Sequence, residues 1–335
     1  MSSSISNIVK PPTIEAFAQS NCITYGCPID GFTFYLNSPI HPDHIQAAVS
    51  RNHDKKASYK YMTYLPDRAG WIMFEKKNDR AHLKYDAIAR INPSKGLLTY
   101  TEFESLIYGL VEHGNNYHNI LAARIDYKLD LFGWTNDQVD QIIWAKNLPR
   151  RDDLHYGTTT YYGRNRSIKQ VKVYDKAAEL NINIPEGLTR VEYTHKYKTP
   201  YPFRELSFLL ALQLNPFENV ILVDMEPLDG RTTMKRRFNA GESFMDILAA
   251  APTESEKNKI RRYAETNKLY DLASIFKQTI WSWYHGTMPL PTMAGGPPGT
   301  PEEIEEEMAE LLYDLIQAEH ENEDDIDDDR THWDV

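Results

Sequence analysis

Apolar and polar residues alternate with a period of two through most of the first two hundred positions, and this predicts strands with one face turned to a core. Such alternation marks residues 27–36, a hairpin of 59–65 and 70–76 around Pro66-Asp67-Arg68-Ala69, and residues 83–91 before Asn92-Pro93. It returns at 124–131, at 158–162 and 169–175 either side of Gly163-Arg164-Asn165-Arg166, and at 188–197 after Pro185-Glu186-Gly187. Between these strands the period changes to that of a helix. Residues 41–49 read as helical after Pro39. Thr101 with Glu104 forms a capping box ahead of Phe103, Leu106, Ile107, Leu110 and Val111, with Gly114 as the stop. Thr135 with Gln138 starts a second helix that buries Val139, Ile142 and Ile143. The pattern predicts an α+β fold, an antiparallel central sheet with packed helices, over residues 1–200.

From Pro202 the texture becomes helical, at 203–214, 243–250, 255–266 and 269–284, predicting a helical subdomain over 201–287. Residues 288–300 hold four prolines and three glycines and read as a linker. Thr300-Pro301-Glu302-Glu303 then opens an amphipathic helix over 301–318, whose apolar face is Ile304, Met308, Leu311, Leu312, Leu315 and Ile316. Residues 319–335 form an acidic tail of disordered composition.

Composition narrows the class. The chain has 335 residues, 41% hydrophobic and 12% aromatic, with no apolar run near the roughly 18 residues of a membrane span. Residues 1–6 lack a basic region followed by an apolar one, so a cytoplasmic protein without membrane contact is expected. Cys22 and Cys27 alone make neither a zinc module nor a disulfide framework. The net charge of −11 argues against a nucleic-acid partner until its distribution is seen. Residues 301–335 hold 16 Asp and Glu against one Arg, leaving 36 Lys and Arg against 32 Asp and Glu in the rest. The body is mildly basic, and its cations cluster at Arg150, Arg151, Arg164, Arg166, Lys169, Lys172 and Lys176, and again at Arg231, Lys235, Arg236 and Arg237. Such clusters suit a phosphate backbone, and equally a solvated basic face.

Three of the strands carry ionisable residues at alternate positions. One face of each presents Asp126 and Asp130, Tyr174 between Lys172 and Lys176, and Arg190 with Glu192. Carboxylates supply hard oxygens for a divalent ion, which neutralises charge on a phosphodiester and polarises its phosphorus. A tyrosine, with a free pKa of about 10, needs nearby cations before its phenolate can attack, and Lys172 and Lys176 flank Tyr174. Surface ion pairing, Arg124 with Asp126 and Arg190 with Glu192, is the plainer reading of the same residues. Tyr161 and Tyr162 rival Tyr174, and a strand tyrosine is most often packing.

The order Arg124-Ile125-Asp126 with Asp130, then Tyr161-Tyr162-Gly163-Arg164 with Ser167, Val171-Lys172-Val173-Tyr174-Asp175-Lys176, and Thr189-Arg190-Val191-Glu192 resembles the rolling-circle replication initiators of plasmids and filamentous phages. These are relatives of the His-hydrophobe-His endonucleases that lack the histidine pair, and no such pair occurs here. The likeness covers about residues 85–200, with looser matches at 30–36 and 90–93. It implies Tyr174 as nicking nucleophile with Lys172 and Lys176 beside it, and Asp126, Asp130 and Glu192 as ligands of Mg2+ or Mn2+. It also implies Arg124, Tyr162, Arg164, Arg166 and Arg190 as DNA contacts. The resemblance implies nicking and rejoining of one strand at an origin through a 5′-phosphotyrosine. Its partners would be duplex origin DNA and a single-stranded nick site. Dimerisation, origin recognition and contact with a host helicase are the roles open to the helical region. A non-catalytic DNA-binding regulator of the same fold, or a mobilisation relaxase or transposase, are the alternatives.

Overall fold

The computed structural model describes residues 27–50, 58–66, 69–77, 84–94, 98–112, 119–156, 159–164, 167–179, 187–203 and 215–285. In chain order the elements are β1 (Ile29–Leu36), α1 (Pro42–Gln46), β2 (Val49–Ser50), β3 (Tyr59–Tyr64), β4 (Gly70–Lys76), β5 (Ala87–Ile91), α2 (Tyr100–Tyr108) and β6 (Ile120–Phe132). Next come α3 (Asn136–Ile142), β7 (Ile143–Ala145), β8 (Arg150–Tyr156), β9 (Thr159–Tyr162), β10 (Lys169–Asp175), α4 (Lys176–Glu179) and β11 (Leu188–Pro202). A 3-10 turn (Pro216–Asn219), β12 (Val220–Val223), α5 (Thr233–Asn239), α6 (Phe244–Ala249), α7 (Glu254–Thr266), β13 (Lys268–Tyr270) and α8 (Leu272–Tyr284) complete the described residues.

Ten strands join in the order β2-β3-β4-β5-β1-β6-β11-β10-β9-β8, and the neighbours pair antiparallel. The alternation read from the sequence turns one face of this sheet inward. Phe32, Phe34, Ile72, Phe74, Ile91, Ile125, Leu129, Val171, Val173 and Val191 are buried there in one hydrophobic core. Helices close that side. The Phe103 ring of α2 lies 5.3 Å from Phe32, and α8 sets Phe276 5.4 Å from Tyr127 and Trp283 5.5 Å from Phe103. Each fully buried aromatic or aliphatic side chain contributes about 1.5–3 kcal/mol, so this layer holds the opposite, polar face in place.

Several local differences from the sequence pattern have physical causes. The first capping box is Thr99 with Glu102 and not Thr101 with Glu104, although both spacings satisfy the motif. The carbonyl of Leu98 accepts the Trp283 indole N–H at 2.7 Å, and this fixes the chain just ahead of the earlier start. The Thr135–Gln138 box forms as expected. The helix over 41–49 stops at Gln46 because Val49 and Ser50 pair with Met62 and Tyr61. β11 runs through Pro202, past the expected domain boundary. The region after it also contains strands. β12, a continuous apolar run, pairs with β7 and β13 in a three-stranded sheet, so residues before and after Pro202 share a sheet as well as a core. The helix expected over 203–214, the linker, the 301–318 helix and the acidic tail lie outside the described residues, save Phe203 at the first one's start. Among the described residues no helix is long and apolar enough to cross a membrane.

Candidate nucleic-acid active site

The three motif strands are neighbours, β6-β11-β10, and their registers place the ionisable residues in rows across the polar face. One row is Tyr174, Arg190 and Asp130. The next is Arg151, Tyr161, Lys172, Glu192 and Lys128, running from β8 to β6. A third is Gln170, Thr194, Asp126 and Gly31. Directly opposed antiparallel residues point to the same side, so these side chains share one surface. The rows are also mostly buried: Asp126, Lys128, Asp130, Arg190, Glu192 and Thr194 are all covered.

Buried charge persists only when paired, and here the pairing is dense. Asp126 accepts from Arg124 Nε at 2.7 Å, Arg90 Nη2 at 3.0 Å and Thr194 Oγ1 at 2.7 Å. Burial raises its pKa, but Arg124, Arg90 and Lys172 outweigh burial and hold the carboxyl at about 2. Arg190 forms a bidentate pair with Asp130, at 2.6 and 3.1 Å, and donates through Nη1 to Asp30 at 2.9 Å. Both of those carboxyls are likewise held below their usual range, against burial, chiefly by Arg190. Lys172 meets Glu192 at 2.9 Å and Lys176 meets Glu179 at 3.0 Å. Gly31 explains how Arg90, two strands away, reaches Asp126. A Cβ there would lie 2.5 Å from the Arg90 Nη2, so only glycine lets that guanidinium lie across β1.

Tyr174 is half-buried, and burial pushes its phenol well above the usual range, opposed mainly by Arg190. The expected arrangement, with Lys172 and Lys176 as its activating cations, is therefore corrected. Those ammoniums are engaged by Glu192 and Glu179, and the cation opposite Tyr174 is Arg190. The three-carboxylate metal set is also divided. Among the described residues no group of three or more His, Cys, Asp and Glu is placed to hold a metal ion. Asp126 and Glu192 do converge, since Thr194 Oγ1 reaches the first at 2.7 Å and the second at 3.4 Å, whereas Asp130 lies in another row with Arg190. Two carboxylates fit magnesium when phosphate oxygens and water complete its shell.

Tyr162 is not placed for DNA. It lies on the core face in register with Val171, fully buried, with its hydroxyl donating to Asp140. Its neighbour Tyr161 is half-buried on the polar face opposite Lys172. Arg124 and Arg190 lie within the charged rows, Arg164 is exposed just after β9, and Arg166 lies outside the described residues. The sequence reading missed Arg90, Asp30, Thr194 and Lys128. Thr194 and Lys128 continue the same two-residue period, a signal within reach, while Arg90 joins through cross-strand register and Asp30 through the irregularity between Ile29 and Gly31, neither of which one strand's period reveals.

No family model matches the chain, and no curated protein matches it. Among solved structures it is similar to a rolling circle replication initiator protein from Geobacillus stearothermophilus, at 10% identity and a TM-score of 0.36, over 71% of this chain and 96% of that one. A likeness that shallow leaves fold and chemistry to this chain's own strands.

Proposed function

We propose that the protein is a replication initiator that nicks and rejoins one DNA strand at an origin through a 5′-phosphotyrosine on Tyr174. The observation that carries this reading is the row Tyr174–Arg190–Asp130 beside Lys172–Glu192, on adjacent strands of one buried polar face. Such a face offers fixed cations where a phosphate's charge develops, in a setting with little water to screen them. Tyr174 Oη attacks phosphorus, the P–O3′ bond breaks, the phenol proton is lost and the 3′ oxygen leaves as a hydroxyl. Because the free phenol is held neutral by burial, ionisation depends on Arg190 and on what the DNA brings with it. Mg2+ or Mn2+ is the cofactor of this reading, and Asp126 and Glu192 would hold it. Such an ion supplies charge neutralisation at the phosphate.

The test is a supercoiled plasmid carrying the gene's flanking DNA, incubated with the protein and magnesium. Wild type leaves a nick with protein attached at the 5′ end, Tyr161→Phe keeps that adduct, and Tyr174→Phe loses it. An adduct that survives Tyr174→Phe sinks the assignment. A second reading, a non-catalytic DNA-binding regulator, draws on the pairing of Asp126 and Asp130 with arginines; it predicts no adduct from any variant.

A further inference from the structure

The polar face does not end at the charged rows. In register across six strands stand Lys196 on β11, Arg124 on β6, Thr33 on β1, Arg90 on β5, Trp71 on β4 and Tyr64 on β3. At about 4.8 Å per strand this row is roughly 24 Å long. It carries three cations and no carboxylate of its own, with Arg90 and Arg124 each giving one bond to Asp126 of the neighbouring row, and it ends in two aromatic rings. Tyr64 is 64% exposed, and Trp71 is half-buried. A second row alongside is apolar, with Val49, Met62, Met73, Ile88 and Tyr35 in register from β2 to β1. Val49 is 65% exposed and the other four are half-buried. Helices α2 and α8 pack on the opposite side of β1, against Phe32 and Phe103.

We infer that this row is a stacking platform for single-stranded DNA flanking the nick, with bases on Tyr64 and Trp71 and phosphates on Arg90, Arg124 and Lys196. Aromatic rings beside a line of cations are what an unpaired strand needs, because its bases have free π-faces and its backbone is anionic. A duplex keeps its bases stacked on one another and has no use for the rings. An interface with a second copy is depleted of charge at its centre, whereas here cations continue directly from the rings. Burial and Arg124 depress the Lys196 ammonium to about 8, so an arriving phosphate relieves an existing strain on that charge. The proposal deepens the nicking reading, on which it rests for its choice of ligand.

The experiment uses the full chain carrying Tyr174→Phe, so that binding is read without covalent capture and independently of the adduct assay. Fluorescence anisotropy follows a labelled oligo-dT of about 20 nucleotides and a mixed-sequence duplex of matching length. Trp71→Ala is expected to weaken the single strand about tenfold or more, with Trp71→Phe restoring most of it and duplex affinity unchanged. Should Trp71→Ala unfold by circular dichroism, the exposed Tyr64→Ala is read in its place. Equal loss on single strand and duplex overturns the proposal. So does unchanged single-strand affinity, including when it comes with a change in self-association, which assigns the face to a second copy.

Discussion

The two faces of β6 and β11 are both buried at the site and chemically opposite, and β10 extends the same division. Ile125, Val191 and Val173 are fully covered on one side, and Asp126, Arg190 and Glu192 nearly so on the other. Burial alone therefore does not separate core from site. The apolar face is held by area removed from water, which is non-directional and tolerates exchange of similar volumes. The polar face is held by register, since each carboxylate meets a cation from another strand at hydrogen-bond distance. Losing one partner on that face leaves a buried charge behind, whereas losing a methyl group on the other leaves only a small void.

Arg190→Ala tests this contrast most severely. It strands Asp130 and Asp30 together, and a loss of about 3–5 kcal/mol is expected in urea unfolding. Adding Asp130→Ala should cost less than the sum of the single losses, because the two share one interaction. A loss no larger than that of a surface pair would place Arg190 outside the network.

Acid titration is the next sharpest probe. Asp126 ionises at about 2 in the fold and at about 4 when unfolded, so between those values the unfolded chain binds more protons. Stability present above pH 4 is lost as pH falls toward 2, by about 2 kcal/mol from this group. Asp126→Asn should flatten that part of the profile in urea melts run at successive pH values; an unchanged slope would assign the acid sensitivity to other carboxyls.

The smallest effect belongs to the core side. Tyr162→Phe removes the hydroxyl's bond to Asp140 and should cost about 1–2 kcal/mol in thermal unfolding, with single-strand affinity untouched. A fall in affinity would return Tyr162 to the proposed DNA-binding face.

Much of this was legible from the chain, because strand parity is a local property. Asp126, Asp130, Tyr174, Arg190 and Glu192 share a face as their spacing implied. The partners of those groups were not legible. Whether Lys172 serves Tyr174 or Glu192 depends on which strand lies alongside and in which register, and that is settled by distant pairing. Tyr161 and Tyr162 show the same limit. Adjacent tyrosines take opposite faces, and only the pairing of Tyr162 with Val171 and of Tyr161 with Lys172 tells which is which. The helical reading after Pro202 failed at Val220-Ile221-Leu222-Val223 because a short apolar run lacks a period, and β7 lies some 75 residues earlier.

The turn at Gly163, with φ of 104°, precedes β10 and α4 follows it, and this position sets how the protein tolerates changes in chain length. A single residue inserted between Val171 and Lys172 would carry the phenol to the helix-covered side and bring Val173 to the charged rows. An insertion outside the strands changes no side chain's face. Length variation among any future relatives should therefore collect between the strands and be absent within them, and a tyrosine aligned to Tyr174 by composition but displaced by one position would be a different residue in chemical terms.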